Sequence, residues 1–270
     1  MMGRYAVIGH PIAHTLSPLI HHANFEAKMT SDEYKALDIF PEQLKFIREI
    51  VKEESLDGFN VTIPHKESIM EFLDEVDDGA KQIGAVNTVS VKNGVFKGYN
   101  TDISGYMNAF AGRFGEKRRN VLIIGAGGAA KAVQKAHSDH GDEVTVAARR
   151  HESFKRFNTE DFRKLLISNI SGDFHYDAII NATPVGMKHE DVFSVMGIPD
   201  SIIKDETIGM DLIYQPETTP FLTRFNEENA MNGLPMLVSQ AMDAYAIWTG
   251  EAGDYAAANK KCKEYFGGKS

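Results

Sequence analysis

The 270-residue chain has a single cysteine, Cys262. One thiol excludes an internal disulfide and leaves no cysteine cluster for a structural zinc. Positive charge is also short: 29 Lys and Arg stand against 38 Asp and Glu, a net charge of −9. That balance argues against a nucleic-acid surface. No apolar run approaches the roughly 18 residues of a membrane span. The N-terminal MMGRYAVIGHPI lacks an apolar core followed by a small-residue cleavage site. His10, His14, His21 and His22 are neighbours in sequence but match no metal-ligand pattern, and no G-x-S-x-G elbow occurs. These absences predict a cytoplasmic protein without a metal, a membrane or a nucleic-acid partner. Nothing in these features separates a monomer from a homodimer.

Apolar runs alternate with helical patterns along the chain, which predicts an α/β fold. RYAVIG reads as a strand, and the next helix starts at SPLIHH, with Ser17 suited to cap it and Pro18 to the first helical position. PEQLKFIREIVKEE and HKESIMEFLDEV read as further helices. Asn93-Gly94 between alternating segments is a hairpin signal. After Asp102 the texture changes to NVLIIGAGGAAKAVQKA: strand, Gly-rich turn, helix. More strands follow at EVTVAARR, YDAIINATPVGM and ETIGMDLIY, and PFLTRFNEENA reads as a helix. The predicted division is residues 1–102 with 237–270 as one domain and 103–236 as the other.

Gly125, Ala126, Gly127, Gly128, Ala129 and Ala130 fit G-x-G-x-x-A between a strand and a helix. The first Gly allows the tight turn, the second lets backbone approach a pyrophosphate, and the small sixth residue lets helix and strand pack closely. The helix N-terminus then presents free N–H groups to the anion. About 20 residues on, NAD sites usually place an acid for the ribose 2′-hydroxyl. Here the strand ends Ala147-Ala148-Arg149-Arg150. Arginine forks suit a 2′-phosphate, so NADP is favoured over NAD.

In FNVTIPHKES, side-chain alternation puts Phe59, Val61 and Ile63 on one face and Asn60 and Thr62 on the other. Lys66 follows Pro64, in what reads as a first helical turn, where a cation is disfavoured by about 0.3–1 kcal/mol. Asn87 shares an apolar face with Val89 and Val91, and a buried amide there needs a partner, either ligand or backbone. Asp102 ends GYNTD before a helix, as a cap or a functional acid. Thr15 and Ser17 bring two hydroxyls to a helix start, for capping or for receiving a carboxylate.

In order along the chain, AVIGHPIAHTLSP, DGFNVTIPHK, IGAVNTV, GYNTD, IIGAGGAAKA, INATPVGM, DLIYQPETTP and GLPMLVSQA resemble the shikimate dehydrogenase family. The resemblance implies an N-terminal α/β substrate domain plus a Rossmann-type, doubly wound NADP-binding domain. It implies NADP-dependent interconversion of 3-dehydroshikimate and shikimate. It implies Lys66 and Asp102 as the catalytic pair, and Thr15, Ser17, Asn60, Thr62, Asn87, Tyr214 and Gln240 as substrate contacts. The cofactor contacts it implies are the Gly125–Ala130 turn, Arg149 and Thr183, with Arg150 adjoining them. Departures from the family pattern are Thr15 for a common Ser, Ile103 and Pro235 for common Gly, and Ala148-Arg149-Arg150 for Asn-Arg-Thr. The rival readings are a quinate/shikimate dehydrogenase using NAD and a non-catalytic sensor of dinucleotide or shikimate-like ligands.

Overall fold

In the computed structural model, which describes residues 2–267, RYAVIG forms β1 (Arg4–Gly9), buried on both faces. Tyr5 and Val7 pack with Phe25, Tyr34, Tyr245 and Trp248 on one side. Ala6 and Ile8 pack with Phe59, Val61, Ile47 and Val89 on the other. A strand covered on both faces is near-continuously apolar, as this one is. The chain continues through α1 (Ser17–Lys28), β2 (Glu33–Asp38), α2 (Ile47–Glu53), β3 (Gly58–Val61), β4 (Glu75–Val76), α3 (Asp78–Ile83), β5 (Thr88–Lys92), β6 (Val95–Tyr99) and α4 (Thr101–Phe114). The first sheet has the order β2-β1-β3-β5-β6-β4. β1 pairs in parallel with β2 and β3, whereas β3–β5 and β5–β6 are antiparallel. Asn93 and Gly94 close the β5–β6 hairpin with φ of 53° and 79°, the positive pair that a type I′ turn requires.

Several local expectations give way to tertiary context. Ser17 is the first residue of α1 rather than its cap; Leu16 holds that position without a side-chain bond. PEQLKFIREIVKEE is a 3₁₀ turn (Pro41–Phe46) followed by α2. HKESIMEFLDEV is not an α-helix. A 3₁₀ turn spans Ser68–Phe72, and Glu75–Val76 are taken up as β4 by the free edge of β6. The Asp74 carboxylate secures that edge by accepting the Phe96 N–H at 2.8 Å. Lys66 therefore has no helix start beneath it. Ile63 leaves the core and is 74% exposed, because β3 ends at Val61 and alternation stops there.

The second half contains β7 (Asn120–Ile124), α5 (Gly128–His140), β8 (Glu143–Ala148), β9 (Arg163–Leu166), β10 (Ala178–Asn181), α6 (Val192–Met196), β11 (Ile208–Asp211) and β12 (Ala230–Met231). All pairings are parallel, in the order β12-β11-β10-β7-β8-β9. Read from β9, this is the 3-2-1-4-5-6 order of the doubly wound dinucleotide-binding fold. PFLTRFNEENA, expected as a helix, forms two short 3₁₀ turns, Leu222–Arg224 and Glu227–Asn229. Phe221, Leu222 and Phe225 are drawn into the core beside Phe193 and Ile179. The chain ends in α7 (Leu234–Thr249) and α8 (Tyr255–Gly267). Pro235 lies in the first turn of α7, where its missing N–H costs nothing.

By spatial clustering, one unit runs to Gly105 and resumes at Val238, and the other spans Tyr106–Leu237. Residues 1 and 268–270, which the predicted first domain includes, lie outside the described residues. Among the described residues no helix is long and apolar enough to cross a membrane.

Candidate active site

In the first unit, Lys66, Asp102, Asn87, Gln240 and Asn60 meet in one hydrogen-bonded network. Lys66 Nζ donates to Asp102 Oδ2 at 2.6 Å. Asn87 Nδ2 donates to the other oxygen, Oδ1, at 2.9 Å. Both carboxylate oxygens are thus engaged, and the pair is largely shielded from water, with side chains 29% and 14% exposed. Desolvation can offset the attraction within such a pair, so its worth lies in position more than in stability. Asp102 sits in the first turn of α4, the favourable place for an acid. Asn100 Oδ1 accepts the Asp102 N–H at 3.1 Å, in the manner of an N-cap. Lys66 is anchored through its carbonyl, which accepts the Val86 N–H at 2.7 Å.

Asn87 is buried, and its partners within the protein are mainly side chains. Its Oδ1 accepts the Thr101 N–H at 2.8 Å. That donor cannot reverse, so it sets the amide orientation and directs Nδ2 toward Asp102 and the Thr101 hydroxyl. Gln240, on α7, joins through Oε1 at 3.4 Å. Asn60 lies deeper. Its Nδ2 donates to Thr88 Oγ1 and the Asn87 carbonyl, and its Oδ1 accepts the Tyr34 hydroxyl at 2.6 Å. Most of its bonding capacity is spent on the protein. Thr15 and Ser17 face each other with hydroxyls 3.1 Å apart. Thr62 lies against Gly9, where β1 ends. Tyr34, Thr88 and Thr101 complete this network and were not singled out from sequence. A hydroxyl inside a strand pattern is too common to mark them.

Behind the network His21 is fully buried, stacked on Tyr34 at 4.1 Å, and neither ring nitrogen has a hydrogen-bond partner. Burial lowers its pKa to about 3, which the nearby Asn60 side chain offsets only in part.

In the second unit, the Gly-rich turn and Thr183 meet at the switch point between β7 and β10, whose ends are in register at Ile124 and Asn181. Gly125 has a φ of 118°, and a Cβ there would stand 2.9 Å from the Ala182 carbonyl oxygen. Only glycine fits. At Gly127 and Gly128 an added Cβ would meet nothing within 4 Å. α5 begins at Gly128 with no side-chain cap. Open space, bare N–H groups and a helix N-terminus suit a pyrophosphate. Ala126 and Ala129 flank the open face, and Ala130 is buried where the helix meets the sheet. Arg149 and Arg150 follow β8, both exposed, as a 2′-phosphate clamp requires. Tyr214 follows β11 in this unit.

A unit with a lysine–carboxylate pair among hydroxyls and amides, and a Rossmann unit shaped for a dinucleotide phosphate, define a nicotinamide-dinucleotide oxidoreductase. The family described as shikimate dehydrogenase substrate binding domain matches residues 7–89. A shikimate dehydrogenase (NADP(+)) of Staphylococcus epidermidis is 39% identical over 256 residues, covering 91% of this chain and 92% of that one. A solved shikimate dehydrogenase in complex with NADP+ gives a TM-score of 0.88 at 34% identity, covering 98% and 96% of the two chains. The shikimate 5-dehydrogenase of Thermus thermophilus, solved with NADP(H) and shikimate, gives 0.85 at 32% identity, covering 97% and 99%. The chain belongs to the shikimate dehydrogenase family.

Proposed function

We propose that this chain reversibly reduces 3-dehydroshikimate to shikimate with NADPH, in aromatic amino-acid biosynthesis. The observation that carries the reading is the Lys66–Asp102–Asn87 array on a scaffold 39% identical to a shikimate dehydrogenase (NADP(+)). NADPH, when bound, supplies the hydride. Lys66 Nζ gives a proton to the carbonyl oxygen as the carbon is reduced, and takes it back in the reverse direction. Asp102 holds the ammonium in place and accepts a substrate hydroxyl. Asn87 and Gln240 present amides to the ring hydroxyls, and Thr15 and Ser17 receive the carboxylate at the start of α1. Asn60 and Thr62 line the same face, and Tyr214 completes the substrate contacts. The Gly125–Ala130 turn, Arg149, Arg150 and Thr183 hold the cofactor. Residues 1–102 with 237–270 act as the substrate domain and 103–236 as the NADP domain. The enzyme works in the cytoplasm as a monomer or homodimer, without nucleic acid.

The test is oxidation of shikimate and of quinate with NADP+ and with NAD+, followed by nicotinamide absorbance. Turnover of shikimate with NADP+ is expected. Preference for quinate with NAD+ would favour the dual-substrate enzyme, and no turnover with any pair would favour a ligand sensor.

A further inference from the structure

Asp211 is an acid in an otherwise apolar strand end, 0% exposed. Burying a carboxylate costs several kcal/mol unless its surroundings compensate. Its partners are all neutral. Oδ1 accepts Asn181 Nδ2 at 3.0 Å and the Ile213 N–H at 3.0 Å, and Oδ2 accepts the Thr219 hydroxyl at 2.6 Å. Burial pushes the carboxyl up to about 6 even so. A residue kept at such a cost, with no cation to pair with, is better explained by the geometry it imposes.

That geometry leads to the loop at the switch point. Asn181 and Asp211 are register partners on β10 and β11. With Nδ2 turned to Asp211 and to the Val185 carbonyl, Asn181 must direct Oδ1 the other way. There Oδ1 accepts both the N–H and the hydroxyl of Thr183, at 3.1 and 2.7 Å. Thr183 Oγ1 in turn accepts the Val185 N–H at 3.2 Å. The Ile213 bond fixes the residue just before Tyr214.

We propose that Asp211 is a positioning residue, an acceptor hub that orients Asn181 and thereby sets Thr183 and the loop after β10 for the dinucleotide. The proposal rests on the NADP reading given above, in which Thr183 touches the cofactor. Acceptor geometry, not charge, is the required property, so asparagine at this position suffices and alanine does not.

Two measurements on the full chain test this. In fluorescence titration with NADPH, Asp211→Ala weakens binding at least tenfold, whereas Asp211→Asn stays within threefold of the parent. In amide hydrogen exchange without cofactor, Asp211→Ala loses protection at the Thr183 and Val185 N–H groups, while the Gly125 N–H, bonded to Ala147, keeps its own. Parent-like NADPH affinity in folded Asp211→Ala would overturn the proposal. So would a tenfold loss in Asp211→Asn, which remains decisive if the alanine variant does not fold. The exchange result judges the hub even if the parent proves not to bind NADPH, an outcome that would instead refute the cofactor reading.

Discussion

Asp102 receives Lys66 on one carboxylate oxygen and Asn87 on the other, at 2.6 and 2.9 Å. The acid is therefore held at both ends before any substrate arrives, and the ammonium is aimed by it. If Lys66 moves the proton, Lys66→Ala lowers kcat by about 10²–10⁴-fold. Steady-state kinetics distinguishes the alternative: a raised KM at unchanged kcat would make Lys66 a binding residue only.

Gly105 packs against Gln240, and a Cβ there would stand 2.6 Å from the Gln240 backbone nitrogen. Alanine in mid-helix is usually better than glycine by about 1 kcal/mol. Here the clash reverses the sign. Gly105→Ala should lower the melting temperature and, by displacing Gln240, raise KM for shikimate about tenfold or more. A higher melting temperature with unchanged KM would show that the helices have room.

His21 makes stability depend on pH. Its pKa falls from 6.5 to about 3 on folding. Between those values the unfolded chain holds a proton that the folded chain does not, so stability is present above about pH 6.5 and lost as pH falls toward 3, by on the order of 4–5 kcal/mol at most. Asp211 acts in the opposite sense, its raised pKa giving stability below about pH 4 that is lost as pH rises through about 6. His21→Phe keeps the stack on Tyr34 and removes two unpartnered ring nitrogens. Urea unfolding near pH 7 and near pH 4.5 should show a smaller acid loss in this variant than in the parent; equal losses would place the proton elsewhere.

At the end of β8, Arg149→Ala should raise KM for NADP+ about tenfold or more, the loss of a charge-assisted bond, and leave KM for NAD+ nearly unchanged. Equal effects on the two cofactors would mean that Arg149 does not read the 2′-phosphate.

The parts of the fold legible in sequence are those where a backbone demand admits few residues. Asn93-Gly94 announced its hairpin because positive φ at two successive positions is rare otherwise. Gly125 announced its turn because nothing larger fits beside the Ala182 carbonyl. Segments whose conformation is decided by distant partners are not legible in this way: Glu75–Val76 follow the β6 edge, and Phe221, Leu222 and Phe225 follow the core beside Phe193. Lys66 and Asp102 could be named, but their mutual bond spans 36 residues of sequence and no spacing rule shows it. Asp211 did leave a signal, since a lone acid in IGMD is a buried charge in need of a reason, and Asn181 in AIIN is its counterpart.

The most direct test of the central claim follows the hydride itself. The chain is incubated with 3-dehydroshikimate and NADPH carrying deuterium at both C4 positions of the dihydronicotinamide, and the product is examined by mass spectrometry and NMR. The account predicts shikimate with one deuterium on the carbon bearing the new hydroxyl. Absence of shikimate, or shikimate without deuterium, would contradict it.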